Sequence, residues 1–265
     1  SPSDSLIALP MKSNALLAAL RRGEVQYGCG FGTLRTPEFL RILGAAGFHW
    51  TFIDGEHGGF DLETIQDLCY AAHGAGVTPL VRVAELSYSL VARALDVGAG
   101  GVIFPRVEDP ELLARAISWT KFPPRGVRGY GLTPVNYNYE AQKMTDVIEH
   151  VNANSMVVLQ IETVTALEQR EELLDVPGID AVMVGPADLS ISLGVPGDFQ
   201  NPKMVDAMEK IRESCVARGI FPGTQTRSIE LAQFWQERGM KLLGCSNDTT
   251  MLYDRAAEII KHLRV

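Results

Sequence analysis

The hydrophobic and polar positions of the chain follow two patterns that alternate along its length. Short runs of β-branched and other apolar residues are each followed by a longer segment in which apolar residues recur every three or four positions. The first pattern predicts strands and the second predicts amphipathic helices. The predicted strands span residues 25–30, 50–54, 78–83, 101–104, 156–162, 180–185, 220–224 and 242–245. The predicted helices span residues 37–46, 62–75, 89–97, 110–120, 140–153, 164–174, 202–218 and 229–238, with a last helix from Thr249.

Strands that are each followed by a helix pair in parallel through crossovers. Several of the predicted strands, such as VVLQI and GVIF, are apolar at consecutive positions, which is typical of strands buried on both faces. Eight such units favour a closed barrel over an open sheet, and barrels of this kind occupy about 250 residues as one domain. We therefore predict an α/β fold of the TIM (β/α)₈ barrel type, a single domain over residues 1–265 with residues 1–11 as a polar lead-in.

The charge and composition exclude several classes of function. A net charge of −8 argues against a nucleic-acid partner, because phosphate binding needs a basic surface. No apolar run is long enough to span a bilayer, and the N-terminal residues lack the basic flank and apolar stretch of a secretory signal. The four cysteines are far apart and form no CxxC pair, so we expect reduced thiols and a cytoplasmic location.

Polar groups follow several of the predicted strands, at the end where barrels of this type carry out catalysis. The long irregular segment 121–139, rich in Pro, Gly, Asn and Tyr, is a candidate lid or substrate loop. The polar groups at the strand ends are Asp54, His57, Arg82, Gln160, Glu162 and the turn Gly185-Pro186-Ala187-Asp188.

Glu162 and Asp188 follow neighbouring strands and suit a divalent cation. Mg²⁺ and Mn²⁺ take only one or two carboxylates from a protein, which leaves positions for a 2-oxo acid; Co²⁺ is a further candidate. In the alternative reading, Glu162 is an acid at a helix start and Asp188 caps a turn at 189–193. The other polar groups predicted at the same end of the barrel favour the metal site.

Arg82 lies within an apolar strand, where a guanidinium needs a partner. We interpret that partner as an anion or an enolate oxygen in the barrel mouth; a salt bridge to Glu56 or Glu85 is the alternative. His57, three residues after Asp54, is a candidate general base whose imidazole the carboxylate would orient, the alternative being a structural histidine.

The backbone N–H groups of the turn Gly185-Pro186-Ala187 open a helix and could receive a carboxylate. Covalent amine chemistry is disfavoured, because a Schiff-base aldolase needs a lysine in the mouth and none of the seven lysines ends a predicted strand. A metal ion is therefore expected to polarise the substrate carbonyl.

Several segments resemble one known family over nearly the whole chain. The segments FIDGEHGGFD, PLVRV, FPPRGVRGYG, VVLQIET and GIDAVMVGPADLSISLG occur in the order found in the HpcH/HpaI family of class II pyruvate aldolases. The resemblance implies a TIM barrel whose last helix swaps between partners, and a homohexamer built as a trimer of dimers.

The resemblance also implies roles for individual residues. Glu162 and Asp188 would bind the metal, with pyruvate as a bidentate ligand, and the backbone amides of Ala187 and Asp188 would bind the pyruvate carboxylate. Arg82 would stabilise the enolate, and Gln160 would line the same pocket.

Two further residues have roles that rest on the resemblance. His57 with Asp54 would form the acid/base network, and Asp96 matches an acid that reaches the site of a neighbouring subunit.

Two segments depart from the family pattern and leave the second substrate open. The homoprotocatechuate-pathway members carry a Trp in the first strand, where this chain has CGF at residues 29–31. Their loop after the RG motif contains Ser and Arg, where this chain has GLTPVNY at residues 131–137. The expected reaction is reversible cleavage of a 4-hydroxy-2-oxo acid to pyruvate and an aldehyde. Decarboxylation of oxaloacetate, as in the macrophomate-synthase branch, and a barrel that only binds a small acid are the alternatives.

Overall fold

The eight strands of the chain form one closed parallel barrel in the order β1 to β8. The structure, a computed structural model, describes residues 11–132 and 143–264. Each strand pairs with its neighbours in sequence, and β1 closes the ring against β8. The strands are β1 Gln26–Phe31, β2 Trp50–Asp54, β3 Thr78–Arg82, β4 Gly101–Phe104, β5 Met156–Ile161, β6 Ala181–Val184, β7 Phe221–Thr226 and β8 Leu242–Asn247.

The helices lie outside the barrel between the strands, with α1 at one end of it. The predicted (β/α)₈ barrel is therefore confirmed, with boundaries that differ by at most two residues where predicted and described elements can be compared. The helices are α1 Ala15–Arg21, α2 Glu38–Ala46, α3 Leu62–Gly74, α4 Tyr88–Asp96, α5 Pro110–Ser118, α6 Met144–Asn154, α7 Val164–Glu168, α8 Arg170–Leu174, α9 Pro186–Ser192, α10 Pro202–Val216, α11 Ile229–Glu237 and α12 Asp248–Leu263.

Three helical predictions change. The helix predicted at 164–174 is two short helices that meet at Gln169. The helix predicted at 140–153 is described from Met144, and residues 140–142 lie outside the described residues. Helix α1 was not predicted; Asn14 caps it by accepting a hydrogen bond from the Leu17 amide.

Helix α1 closes the barrel at the N-terminal ends of the strands. Leu16, Leu17 and Leu20 are buried and belong to the same hydrophobic cluster as the side chains inside the barrel, which include Trp50. A second, larger cluster fills the space between the outer face of the strands and the helices. Because apolar side chains fill the barrel at the N-terminal ends of the strands, the mouth at the C-terminal ends is the end left for polar chemistry.

The described part of the predicted lid, residues 121–132, does not lie at the mouth of the barrel. Lys121 donates hydrogen bonds to the carbonyls of Asn152 and Ser155, just before β5 begins, and Arg128 pairs with Asp96. This part therefore lies along the outside of the barrel toward the N-terminal ends of the strands and does not cover the mouth. Residues 133–139 of the predicted lid lie outside the described residues.

No described helix has both the length and the apolar character that spanning a membrane requires.

Candidate active site

The strand register brings Asp54 and Arg82 together at the mouth. The two residues are partners across β2 and β3, and their side chains form a two-pronged ion pair, with Arg82 Nε and Nη2 donating to the Asp54 carboxylate at 3.0 and 2.7 Å. Burial alone would raise the pKa of Asp54, but the hydrogen bond and charge of Arg82 hold that pKa below its ordinary value. Both charges are therefore kept, and the guanidinium is fixed in one orientation.

Arg82 begins a chain of hydrogen bonds that runs across the mouth. Its Nη1 donates to Gln160 Oε1 at 3.3 Å, and Gln160 Nε2 donates in turn to Glu162 Oε2 at 2.9 Å. The guanidinium also stacks over the Phe52 ring, with its central carbon 4.7 Å from the ring centroid. Three of the predicted site residues thus form one connected network, since each amide or guanidinium position is set by its neighbour.

Glu162 is the most strongly perturbed acid of this network. Its side chain is 2 % exposed, and its Oε1 accepts a hydrogen bond from the Arg106 backbone N–H at 2.9 Å. Burial, together with the negative charges of Asp188 and Glu56, raises the pKa of Glu162 to about 7 against the opposing effects of the Arg106 N–H and of Arg82.

The turn after β6 leaves space for the Glu162 carboxylate. Gly185 follows β6 at the level of Glu162, and a Cβ at that position would lie 2.7 Å from Glu162 Oε2 and 2.8 Å from Gln160 Nε2. Gly185 is the N-cap of α9, Pro186 is its first residue and Asp188 lies in its first turn. Only a residue without a side chain fits here while Glu162 and Gln160 keep their positions.

The alternative that Asp188 is an N-cap is wrong, and Glu162 precedes helix α7 without capping it. Thr163, not Glu162, caps helix α7 and accepts a hydrogen bond from the Ala166 amide. Asp188 lies inside the first turn of α9 and is not its N-cap. Neither carboxylate caps a helix, and that of Glu162 is bonded within the mouth, to the Arg106 N–H and to Gln160.

The expected pairing of Asp54 with the His57 imidazole is not present. Asp54 Oδ1 instead accepts hydrogen bonds from the backbone amides of Glu56 and His57 at 3.0 and 3.1 Å. The His57 side chain is 66 % exposed, and the acid that faces it is Glu56, with Nε2 and Oε2 3.8 Å apart. The ion pair with Arg82 and the two amide bonds together occupy the Asp54 carboxylate, so the prediction is corrected at this point.

One of the two alternative partners proposed for Arg82 is observed. Glu56 Oε2 lies 3.1 Å from Arg82 Nη1, whereas Glu85 is exposed. A salt bridge to Glu56 therefore exists beside the pair with Asp54, and the guanidinium lies between two carboxylates.

Asp96 is not part of this chain's own mouth. It ends helix α4, toward the N-terminal ends of the strands, and its Oδ1 accepts a hydrogen bond from Arg128 Nη2 at 2.7 Å. The predicted role of Asp96 at a neighbouring subunit stays a prediction.

Reasoning from the sequence missed one residue of the site, Arg106. This residue lies two positions after the end of β4 and has a positive φ of 52°, a conformation that is uncommon outside glycine. Its backbone N–H holds Glu162. The sequence could have indicated this residue, because β4 was predicted and the residues after each strand face the mouth.

The charges of the mouth suit a divalent cation. Asp54 and Glu56 pair with the buried guanidinium of Arg82, and the charges of Arg82 and Asp188 both act on Glu162, so four carboxylates share the mouth with one guanidinium. Within the described ranges, no three Asp, Glu, His or Cys side chains are grouped as a complete ligand set. Two carboxylates are nevertheless sufficient for Mg²⁺ or Mn²⁺, which keep water or substrate in the other positions.

A cavity of ≈ 170 Å³ at the opposite end of the barrel does not compete with this site. Its lining includes Lys12, His73 and His150. The two imidazoles hydrogen-bond to the backbone carbonyls of Gly98 and Lys12, and burial lowers the pKa of His73. These hydrogen bonds give both histidines a structural role.

Comparison with known proteins identifies relatives over almost the whole chain. Residues 28–253 match the model of the HpcH/HpaI aldolase/citrate lyase family. A 4-hydroxy-2-oxo-heptane-1,7-dioate aldolase from Escherichia coli is 33% identical over 251 residues, which cover 93% of each chain.

Solved structures agree with these sequence matches. An HpcH/HpaI aldolase from Desulfitobacterium hafniense DCB-2 superimposes with a TM-score of 0.89 at 30% identity, covering 93% of this chain and 95% of that one. A family protein from Burkholderia cenocepacia J2315 gives a TM-score of 0.87 at 30% identity, covering 96% and 100% of the two chains.

Proposed function

This chain belongs to the HpcH/HpaI aldolase/citrate lyase family and is a carbon–carbon lyase, and from that premise we propose that it reversibly cleaves a 4-hydroxy-2-oxo acid to pyruvate and an aldehyde. The observation that carries the proposal is the buried Glu162 carboxylate, which shares the mouth with Asp188 and is linked through Gln160 to the fixed guanidinium of Arg82.

Glu162 and Asp188 are the residues that would hold a divalent ion such as Mg²⁺, Mn²⁺ or Co²⁺. The fit is supported by the excess of carboxylates in the mouth and by the raised pKa of Glu162, because a nearby cation would favour its charged form. When bound, the ion would supply the Lewis acidity that polarises the keto group of the substrate.

Arg82 is proposed to stabilise the negative charge that develops on the substrate. The ion pair with Asp54 fixes the guanidinium before substrate arrives, and a preorganised donor stabilises a developing oxyanion at little reorganisation cost. Gln160 sets the distance between this donor and Glu162, since its amide bonds to both.

The first turn of α9 and His57 complete the proposed site. The amides of Ala187 and Asp188 lie in that turn, where backbone N–H groups have no partner within the helix, and would receive the carboxylate of pyruvate. The exposed imidazole of His57 would move the proton of the C4 hydroxyl, which must leave as the carbon–carbon bond breaks.

The proposal extends to the assembly of the protein. Helix α12 is exposed along most of its length, and its large apolar residues Leu252, Tyr253 and Leu263 are 62%, 73% and 75% exposed. A helix of this kind gains most by packing on another copy, so we propose that α12 swaps between subunits of the expected homohexamer. Light scattering should then show an oligomer that a chain ending at residue 247 cannot form; a monomeric full chain would contradict this part.

The reaction is tested by measuring pyruvate release from 4-hydroxy-2-oxo acids after chelation and after adding back Mg²⁺ or Mn²⁺. We expect turnover that needs the ion and that Asp188→Asn abolishes without unfolding the protein. Full activity of Asp188→Asn, or of the chelated enzyme, would contradict the proposed ligand role. Measuring oxaloacetate decarboxylation in the same preparation separates the alternative reaction, which would show the faster rate on that substrate.

A further inference from the structure

Glu56 is a buried acid whose position the proposed reaction does not yet explain. Its side chain is only 10% exposed, yet Oε2 accepts no hydrogen bond within the described structure. The salt bridge to Arg82 compensates the buried charge, and this oxygen keeps the capacity to accept a hydrogen bond from a further donor. Two cationic or protonatable groups lie near this oxygen, Arg82 Nη1 at 3.1 Å and His57 Nε2 at 3.8 Å.

The backbone around Glu56 is wound so tightly that the direction of its side chain is fixed. A Cβ at Gly55 would lie 2.5 Å from the Arg82 carbonyl oxygen, and one at Gly58 would lie 2.1 Å from the Asp54 carbonyl oxygen. Asp54 Oδ1 also holds the amides of Glu56 and His57. The turn therefore directs Glu56 into the mouth, while the neighbouring His57 side chain stays exposed at the rim.

Asp54 and Glu56 consequently have different tasks. Asp54 binds Arg82 with both carboxylate oxygens and would hold the guanidinium even if Glu56 were absent. Glu56 is the acid nearest to the His57 imidazole among the ion pairs of the described residues. The separation of 3.8 Å between Nε2 and Oε2 is longer than a hydrogen bond, so the exposed imidazole has to turn toward Glu56 to form one.

We propose that Glu56, and not Asp54, is the positioning residue for His57, and that its buried Oε2 couples the orientation of the imidazole to the guanidinium of Arg82. One carboxylate then sets the distance between the group that stabilises the enolate and the group that moves the aldol proton. With Nε2 directed at Glu56, the imidazole presents Nδ1 to the substrate. This inference rests on the proposed function for its kinetic consequences, and on geometry alone for the placement of His57.

The first test observes the imidazole and needs no turnover. Side-chain ¹⁵N resonances of the five histidines are recorded, and the signal of His57 is assigned by its loss in His57→Gln. We expect Glu56→Gln to shift the His57 resonances and Glu85→Gln to leave them unchanged. The control is matched, because Glu85 carries the same charge three residues after Arg82 but is exposed. Unchanged His57 resonances in Glu56→Gln would overturn the proposal.

The second test divides the kinetic effects between the two acids. In Glu56→Gln we expect kcat to fall about 10- to 100-fold with KM for the 2-oxo acid within about 3-fold, since a misplaced general base slows the proton step and leaves ground-state binding intact. Asp54→Asn should instead reproduce the loss of kcat expected for Arg82→Lys, because Arg82, which stabilises the developing charge, loses its anchor. A kcat of Glu56→Gln above half that of the native chain would contradict the inference, as would a loss of activity matched by a loss of folded protein.

The two tests also separate this inference from the proposed function. If the native chain cleaves no 2-oxo acid, the proposed function fails, while the resonances of His57 still decide the placement. If the native chain is active and Glu56→Gln behaves like Glu85→Gln, only the role of Glu56 fails.

Discussion

Replacement of Glu162 by Gln should stabilise the metal-free protein at neutral and higher pH. The perturbation removes a charge from a site where the side chain is 2% exposed and where burial and the charges of Asp188 and Glu56 disfavour ionisation. In the folded state the pKa of Glu162 is raised from its ordinary value of 4.5 to about 7. The folded protein therefore binds this proton more tightly than the unfolded chain does.

The sign and size of the effect follow from that difference. Stability contributed by a protonated Glu162 is fully present below the unfolded pKa and is lost as pH rises toward about 7. Each pKa unit corresponds to ~1.4 kcal/mol, so the cost at higher pH is about 3 kcal/mol. A glutamine avoids that cost but places an amide donor against either the Arg106 N–H or the Gln160 amide, which offsets about 1 kcal/mol.

We therefore expect Glu162→Gln to gain about 2 kcal/mol over the native chain at about pH 8 in chelator, a rise in Tm of roughly 5 °C. Near about pH 4, where the native carboxyl is protonated, only the mismatch of about 1 kcal/mol remains, and Glu162→Gln should be slightly less stable than the native chain. Thermal unfolding across this pH range measures it, with Glu85→Gln as a control that should show no such pH-dependent gain. Addition of Mn²⁺ should stabilise the native chain and not Glu162→Gln. A variant no more stable than the native chain at high pH would refute the reasoning about the charge of Glu162.

Three other outcomes follow from the same geometry. Gly185→Ala should weaken metal binding about 10-fold or more in a calorimetric titration, because its Cβ would lie 2.7 Å from Glu162 Oε2. Gly74→Ala is the control and should bind the metal normally, because a Cβ at that position meets nothing within 4 Å. Arg82→Lys should lower kcat for pyruvate release about 100-fold with Tm nearly unchanged, because lysine keeps the charge beside Asp54 but loses the two-pronged contact. In thiol labelling of the native protein, Cys245 should react first. The other three cysteines are buried, and burial strongly raises the pKa values of their thiols. A faster reaction at any of those three would contradict this prediction.

The strands and the barrel could be predicted because several strands are short apolar runs closed by a polar group. The run from Met156 to Glu162 is one such case, and its predicted start coincides with the start of β5. Helix α1 escaped prediction for the opposite reason. Leu16, Leu17 and Leu20 make its sequence apolar on most sides, since it enters the barrel end instead of lying on the surface, and no amphipathic pattern marks it.

The residues of the site could be located from the sequence, but some of their pairings could not. Reading the strand ends placed Arg82, Gln160 and Glu162 at one mouth, where they form a single hydrogen-bonded chain. The pairing of Asp54 with His57 failed because the register of β2 against β3 brings Asp54 beside Arg82. Register between strands is a tertiary property, and a spacing of three residues in the sequence does not determine it.

The central claim is that this mouth forms the enolate of pyruvate with the help of a metal ion held by Glu162 and Asp188. The most direct measurement is NMR of pyruvate in D₂O with the protein, following the loss of methyl protons after chelation and after addition of Mg²⁺ or Mn²⁺. We predict exchange that requires the ion and that is absent in Glu162→Gln and Arg82→Ala. No exchange with any divalent ion, or equal exchange in those variants, would contradict the claim.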